Sequence, residues 1–190
     1  MKKLSELYKE LGIDFTFPIK IKDSNGNETY FKDSKGYWWK QEYDGNGRQT
    51  YYEDSNKFWS KYEYDTNGNV TYYENSDGFW RKCKFDGNGR QTYYEDSNKF
   101  WIKREYDANG NKTYIEDSNG YWSKREYDTN GNETYFENSK GFWSKREYDT
   151  NGNKTYYENS NGYKEGTPRS QSYAGKMIEV GGKKYKLKEH

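Results

Sequence analysis

The sequence predicts an all-β protein of tandem 21-residue β-hairpin repeats that form an elongated antiparallel meander. Threonine recurs at an unbroken spacing of 21 residues, and a tryptophan follows each of the first six threonines by nine residues. Each repeat contains two turn sequences, separated by runs rich in Tyr, Phe, Trp and Thr, the residues enriched in strands. The threonines are Thr29, Thr50, Thr71, Thr92, Thr113, Thr134 and Thr155, and the tryptophans are Trp38, Trp59, Trp80, Trp101, Trp122 and Trp143.

The composition requires aromatic residues to supply most of the buried apolar surface. Aromatic residues make up 21% of the chain and charged residues 33%. Leu, Ile and Val together number only twelve, and three of them, Val70, Ile102 and Ile115, lie inside the repeats. Few aliphatics with many charges are typical of disorder, but disordered chains are also poor in aromatics. The 23 Tyr and 7 Trp therefore indicate a folded chain.

The two turns of each repeat differ in sequence. Asn-Gly, as at Asn67-Gly68, predicts a two-residue type I′ loop. The other turn, called here the Ser-Asn-Gly turn, is Ser-x-Gly in most repeats, with Lys57 and Lys99 in place of Gly. Side chains alternate between the two faces of a sheet with period two. If both turns of a repeat with an odd number of residues had two-residue loops, successive repeats would present opposite faces. We therefore expect a three-residue loop with a glycine bulge at the Ser-Asn-Gly turn.

This register sorts the side chains onto two faces. Across the Asn67-Gly68 turn it places Lys61 opposite Glu74 and Glu63 opposite Tyr72, both favourable cross-strand pairs. One face, called here the tryptophan face, carries in the repeat from Thr50 the side chains of Tyr51, Glu53, Trp59, Lys61 and Glu63. The other, called here the opposite face, carries Thr50, Tyr52, Phe58, Ser60, Tyr62 and Tyr64.

The two ends of the chain differ from the array. Apolar residues at helical spacing predict a short N-terminal helix over 2–11, and 15–22 is predicted as a strand that leads into the array. At the other end, 177–180 and 183–187 are predicted as a closing β-hairpin. Atypical ends that cap a stack are typical of repeat proteins. The predicted domains are a cap at 1–22, the repeat array at 23–162, and a linker with a hairpin cap at 163–190.

The sequence lacks a set of catalytic or metal-binding residues, so we expect no enzyme activity and no cofactor. The sole histidine, His190, is the last residue, and Cys83 stands where other repeats carry Arg, Gln or Tyr. The Asp65-to-Asn69 segment resembles part of a calcium loop, but an EF-hand needs an acid at loop position twelve, which here is Ser76. We interpret that segment as a turn.

Charge and hydropathy limit the kinds of partner that the chain is expected to bind. The net charge of +1 divides into +2 over 1–22, −5 over 23–162 and +4 over 163–190. No basic stripe is present, so nucleic acid is an unfavoured partner, and stacking on bases is opposed by the acids of every repeat. No apolar run predicts a signal peptide or a membrane span, so we expect no membrane partner and a cytoplasmic location.

The motif Y-D-x-N-G-x-x-T resembles the YD (RHS-type) repeat, whose core is Y-D-x-x-G-R-x-T with a period of about 21. Such repeats form spiralling hairpin strips that enclose shells in large toxins and surface proteins. This array is shorter than a shell requires, Phe85 replaces the tyrosine, and the tryptophan is not part of that core. The resemblance therefore implies a hairpin strip over about 23–162 rather than an enclosing shell. A weaker likeness is to MORN repeats. The matching residues are Tyr43, Asp44, Gly47, Arg48 and Thr50; Tyr106, Asp107, Gly110 and Thr113; and Tyr127, Asp128, Gly131 and Thr134.

The tryptophan face is the candidate binding surface. One interpretation is structural, in which the aromatic rings only pack in ladders. The other is recognition of a protein partner, because aromatic surfaces with charged rims suit protein interfaces. We predict a non-catalytic binding module, with a phage or mobile-element antagonist of a host complex as a hypothesis for its context. A carbohydrate-binding module is the alternative, since Trp and Tyr also stack on sugars. The predicted site residues are Trp59, Trp80, Trp101, Trp122 and Trp143, flanked by Tyr51, Tyr72, Tyr93, Tyr114 and Tyr135.

Overall fold

The structure, a computed structural model, describes residues 16–168, 177–180 and 183–186, and every regular element in these ranges is a β-strand. Fifteen strands form one antiparallel sheet in which each strand is hydrogen-bonded to its neighbours in the chain. The all-β meander with two strands per repeat is thereby confirmed. The predicted helix over 2–11 lies outside the described residues.

Contacts between Cα atoms group the chain into two units, Met1–Lys99 and Phe100–His190. The strands of the first unit are β1 (Ile19–Lys22), β2 (Glu28–Lys32), β3 (Trp38–Tyr43), β4 (Gln49–Asp54), β5 (Trp59–Tyr64), β6 (Val70–Asn75), β7 (Trp80–Phe85) and β8 (Gln91–Asp96). Those of the second unit are β9 (Trp101–Tyr106), β10 (Lys112–Asp117), β11 (Trp122–Tyr127), β12 (Glu133–Asn138), β13 (Trp143–Tyr148), β14 (Lys154–Asn159), β15 (Lys164–Gly166), β16 (Met177–Val180) and β17 (Lys183–Lys186).

Strands β16 and β17 form a separate two-stranded sheet. Its register places Val180 opposite Lys183 and Met177 opposite Lys186. The C-terminal hairpin predicted from the sequence is therefore confirmed.

Both turns of a repeat have the same three-residue loop, so the predicted two-residue type I′ turn is wrong. The Asp65 amide donates to the Asn69 carbonyl (3.0 Å), and the Gly68 amide donates to the Asp65 carbonyl (3.1 Å). Only Gly68 has a positive φ (89°), as expected for a type I turn that ends in a glycine bulge. The Asp65 carboxylate accepts hydrogen bonds from the Asn67 and Asn69 amides, both at 2.9 Å, and so favours this turn over type I′.

The odd residue of the 21-residue period is a β-bulge at the repeated threonine. Glu63 pairs with Tyr72 and Tyr64 pairs with Val70, which leaves Thr71 without a cross-strand partner. The same register shift recurs before each repeated threonine in both units. The longer loop and the bulge offset each other, so the predicted pairs of Lys61 with Glu74 and Glu63 with Tyr72 are confirmed.

The opposite face is the more buried one, because large rings lie directly across from small side chains. Tyr52 pairs with Ser60, which is 4% exposed, and Phe136 pairs with Ser144, which is 0% exposed. Within a hairpin the rings also meet, as Tyr52 and Phe58 do at a centroid distance of 6.1 Å. These contacts form a thin hydrophobic layer on one side of the sheet.

A recurring phenol hydrogen bond strengthens this face where the strand ladder stops. The hydroxyl of Tyr64 donates to the Gln49 carbonyl (2.7 Å), just before the bulge at Thr50. The bond recurs three times at the same spacing of 15 residues, from Tyr43 to Glu28, from Tyr127 to Lys112, and from Tyr148 to Glu133. The tyrosine of the Y-D motif thus supplies a donor to a carbonyl beside the bulge.

Each strand packs against the strand before it and the strand after it. In neither unit does a second layer of described residues cover the sheet. Side chains on each face therefore pack only with others on that same face. The position of every candidate site residue is fixed by the register alone.

Candidate binding face

All ten predicted site residues lie on the tryptophan face, as predicted. In β4 and β5, Tyr51 pairs with Lys61 and Glu53 pairs with Trp59. The equivalent pairs in β10 and β11 join Tyr114 to Lys124 and Glu116 to Trp122. Trp59 and Trp122 lie near the Asp-Ser-Asn turns, whereas the tyrosines lie in the middle of the strands.

The tryptophan face consists of cross-strand rows with a fixed residue order. Successive pairs read Glu, Tyr, Lys, Glu and Trp, so each charge has a ring or an opposite charge beside it. In the first unit the row is Glu42, Tyr51, Lys61, Glu74 and Trp80. In the second unit it is Glu105, Tyr114, Lys124, Glu137 and Trp143.

The tryptophans do not stack on one another, so the predicted aromatic ladder is wrong for these residues. Successive tryptophans of one unit are two strands apart, roughly 10 Å, and the cross-strand neighbour of Trp80, Glu74, lies opposite Lys61 rather than Trp59. Among the described residues, none of the five predicted tryptophans contacts another aromatic ring. Instead, lysine ammoniums lie over the rings of Trp80 (5.2 Å), Trp101 (4.8 Å) and Trp143 (5.5 Å).

A serine that directly follows the adjacent strand holds the backbone of each tryptophan. The Ser139 amide donates to the Trp122 carbonyl (2.9 Å), and the Trp122 amide donates to Ser139 Oγ (3.2 Å). The same pair of bonds joins Ser160 to Trp143. The repeated serine thus holds the backbone at each tryptophan in the same geometry.

The tyrosine phenols of this face are held by glutamates on the same strand. The hydroxyls donate to the carboxylates of Glu53 from Tyr51 (3.0 Å), Glu74 from Tyr72 (3.1 Å) and Glu137 from Tyr135 (3.0 Å). Burial, followed by the hydrogen bond to glutamate, raises the pKa of all three tyrosines. The rings are therefore oriented before any partner binds.

Two open grooves lie on the tryptophan face, one in each unit, with volumes of about 470 and 540 Å³. Eight equivalent positions line both grooves, each 63 residues apart, which is three repeats, and six of these carry the same residue in both grooves. In the first groove these are Glu63, Thr71, Tyr72, Lys82, Tyr93 and Glu95. In the second groove they are Glu126, Thr134, Tyr135, Lys145, Tyr156 and Glu158.

The grooves divide the predicted site into two parts. Tyr72 and Tyr93 come together in the first groove and Tyr135 lines the second, but no tryptophan lines either groove. The sequence prediction missed Tyr156, because the repeat that contains it lacks a following tryptophan, and it missed the lysines and glutamates. The lysines and glutamates could have been identified from their position in the sequence, because they lie two residues from an aromatic residue on the same face of a strand.

The remaining predictions from the sequence concern catalytic and metal-binding residues. Asp65 has the turn role expected of it, and hydrogen bonds from the Asn69 side chain and from backbone amides hold the pKa of its carboxyl below the usual value. Cys83 is buried on the opposite face, where Gln91 Nε2 donates to its Sγ (3.3 Å). In the part of the chain that the structure describes, no group of three or more His, Cys, Asp or Glu could hold a metal ion. His190 lies outside the described residues.

None of the described residues belongs to a helix of the length and hydropathy needed to cross a bilayer.

Comparison with known proteins gives distant structural similarity. Neither a protein-family model nor a curated protein sequence matches the chain. Similar solved structures include the Tc holotoxin pore of Photorhabdus luminescens with a TccC3 mutation, with a TM-score of 0.44 and 15% identity over 77% of this chain and 9% of that one. The complex of TcdB2, TccC3 and Cdc42 also has a TM-score of 0.44, with 14% identity over 86% of this chain and 10% of that one. The chain thus spans about a tenth of these proteins, and we assign neither a family nor a function from them.

Proposed function

We propose that this chain is a non-catalytic repeat protein that binds a protein partner along the tryptophan face. The observation that carries the proposal is the recurrence of one groove at equivalent positions in both units, each lined by two tyrosines, a lysine and two glutamates. A groove that only reflected irregular packing would not select the same six positions twice.

The chemistry of the face suits a protein interface. Tyrosine and tryptophan are the residues most enriched among those that dominate binding energy. A phenol already held by Glu74 or Glu137 loses little side-chain entropy on binding, which favours affinity. The exposed lysines and glutamates around the rings form the polar rim that such interfaces have.

The opposite face is less suited to this role, because its rings already cover one another. Tyr73 lies against Tyr62 (5.0 Å) and Phe79 (6.1 Å), and Ser60 and Ser123 are buried beneath such rings. A partner that bound to the opposite face would contact less exposed aromatic surface. We therefore assign folding to the opposite face and binding to the tryptophan face.

The proposal also includes a biological context for the protein and an alternative to a protein partner. The hypothesis of a phage or mobile-element product that antagonises a host complex is supported by the drift between repeats and the lack of a catalytic set. A cytoplasmic location would fit it. The carbohydrate alternative is favoured by one observation, the half-buried rings of Tyr72 and Tyr93 in an open groove, against which a sugar could stack.

The test combines affinity capture with paired variants. The double variant Tyr72→Ala with Tyr93→Ala removes both rings of the first groove, while Tyr163→Ala removes a ring that is 55% exposed outside both grooves. For a partner captured by the wild-type chain, we expect the double variant to lose about 2 kcal/mol of binding free energy, the scale of a dominant interface residue. The Tyr163→Ala control should bind like the wild type in biolayer interferometry.

Two outcomes would contradict the proposal. Equal affinity of the double variant and the control would remove the tryptophan face from the interaction. Binding to defined sugars on a glycan array, without a protein partner and abolished by the double variant, would favour the carbohydrate alternative. Unfolding curves in urea ensure that each variant is compared as folded protein.

A further inference from the structure

The two grooves differ in charge at one position. Lys84 lines the first groove, and its equivalent in the second groove is Glu147. Cys83 and Arg146 also occupy equivalent positions in the two grooves, but their side chains lie on the opposite face. Lysine is found at this position only here, since the other repeats carry Glu42, Glu63, Glu105, Glu126 and Glu147.

The neighbouring Lys82 lacks the ion pair to a cross-strand glutamate that two of its equivalents form. Lys40 pairs with Glu53 (2.7 Å) and Lys103 pairs with Glu116 (3.7 Å). Within the described part of the chain, Lys82 and Lys84 have no carboxylate oxygen within 4.0 Å, and both are exposed. Their ammoniums lie instead beside rings, Lys82 over Trp80 (5.2 Å) and Lys84 over Tyr93 (5.8 Å).

Neither acid of the first groove forms an ion pair with these lysines, although Glu95 lies across the strands from Lys82. Glu95 accepts a hydrogen bond from the Tyr93 phenol, and burial together with this carboxylate raises the pKa of Tyr93. Glu63 is paired across the strands with Tyr72. Two like charges on one strand face that lack ion-pair partners repel each other, and a bound anion would relieve that repulsion.

The second groove contains an internal ion pair and lacks the second lysine on its central strand. Lys164, which also lines it, pairs with Glu158 (3.2 Å). Glu147 adds a negative charge where Lys84 adds a positive one. An acidic ligand would therefore be favoured in the first groove and disfavoured in the second.

We propose that the first groove binds an Asp or Glu side chain on an extended segment of the protein partner, with the carboxylate held between Lys82 and Lys84. This inference rests on the proposed protein-binding function. Tyr72 and Tyr93 lie two strands apart, roughly 10 Å, which leaves room for one extended chain between the rings. The phenol oxygens of both tyrosines can accept hydrogen bonds from the backbone of such a segment.

The test exchanges the charges of the two grooves in the full chain. The probes are acetylated, amidated octapeptides of Gly, Ser and one Tyr that carry zero, one or three glutamates. Binding is followed by amide chemical shifts in ¹⁵N-labelled protein. We expect the three-glutamate peptide to shift amides of 71–95 in the wild type, to bind about tenfold more weakly to Lys84→Glu, and to shift amides of 134–158 when Glu147→Lys is introduced.

The outcomes separate this inference from the proposed function. Equal shifts at both grooves, or unchanged affinity in Lys84→Glu, would overturn the acidic-segment assignment while leaving protein binding in place. Binding of inorganic phosphate as tight as that of the three-glutamate peptide would likewise overturn it. If the captured partner ignores both the Lys84→Glu change and the Tyr72→Ala with Tyr93→Ala change, the proposed function fails as well. The conservative variant Lys84→Arg should retain binding and controls for loss of fold.

Discussion

On the opposite face large rings lie across from small side chains, whereas on the tryptophan face rings alternate with charges along every row. Tyr52 covers Ser60, which is 4% exposed, whereas Tyr51 lies beside the exposed Lys61. The two tyrosines are adjacent in sequence and differ only in the side of the strand to which they point. Position in the pleat, rather than residue type, therefore decides whether an aromatic residue stabilises the fold or remains available to a partner.

The largest difference between the faces is expected for a matched pair of truncations on β6. Tyr73→Ala removes a ring that contacts Tyr62, Phe79 and Arg81, and we expect it to cost about 3 kcal/mol in the free energy of unfolding. Tyr72→Ala removes the same atoms from the other side and should cost about 1 kcal/mol. Urea denaturation measures both. Equal losses would mean that the two faces contribute alike to stability.

Alkaline pH should destabilise the fold through tyrosines of both faces. Burial and the Tyr37 hydroxyl raise the pKa of Tyr52, and burial and Glu74 raise that of Tyr72. Because the folded values lie above the ordinary value of 10.0, the protonated tyrosines contribute stability below about pH 10, and this contribution is lost as the pH rises further. Urea midpoints measured from pH 8 to pH 12 should fall above pH 10. A constant midpoint up to pH 11.5 would contradict this.

A smaller effect, confined to the opposite face, is expected at the phenol that bonds beside the bulge. Tyr64→Phe removes the 2.7 Å bond to the Gln49 carbonyl and should cost about 1 kcal/mol. Phe85 occupies the equivalent position in the next repeat, so Phe85→Tyr should gain part of that amount by donating to Val70. Differential scanning calorimetry compares the two. A loss of stability in Phe85→Tyr would show that the bond is specific to its repeat.

The smallest effect is expected in a turn, which belongs to neither face. Lys57 has a φ of 69°, which costs a non-glycine residue about 1 kcal/mol. Lys57→Gly should relieve this strain, and the added freedom of glycine in the unfolded chain leaves a net gain of about 0.5 kcal/mol. Thermal melts should rise slightly, with partner affinity unchanged. Altered affinity would extend the binding surface to the turns.

Much of the register was predictable because the period of 21 and the alternation of side chains constrain it strongly. The pairs of Lys61 with Glu74 and Glu63 with Tyr72 follow from that constraint alone. The turn at Asn67-Gly68 was mispredicted because parity fixes only the total number of odd residues. A two-residue loop and a three-residue loop followed by a bulge at Thr71 give the same distal pairs.

The candidate site was predicted less completely than the fold. Constant spacing drew attention to the tryptophans, yet these lie near one turn and line neither groove. Tyr156 follows the repeat pattern but has no tryptophan after it, and Lys84 breaks the pattern, so a search guided by the tryptophans passes over both. The groove depends on which side chains are short enough to leave space between neighbouring rings, and spacing in the sequence does not contain that information.

The bulge at the repeated threonine also determines how such a chain can change its length during evolution. Duplication or loss of one 63-nucleotide segment adds or removes 21 residues, and the bulge ensures that all later side chains stay on their original faces. Without the bulge, adding or removing one repeat would move every later side chain to the other face of the sheet. Only the gain or loss of two repeats together would then be tolerated. Replication slippage can therefore change the length of the tryptophan face by one repeat at a time.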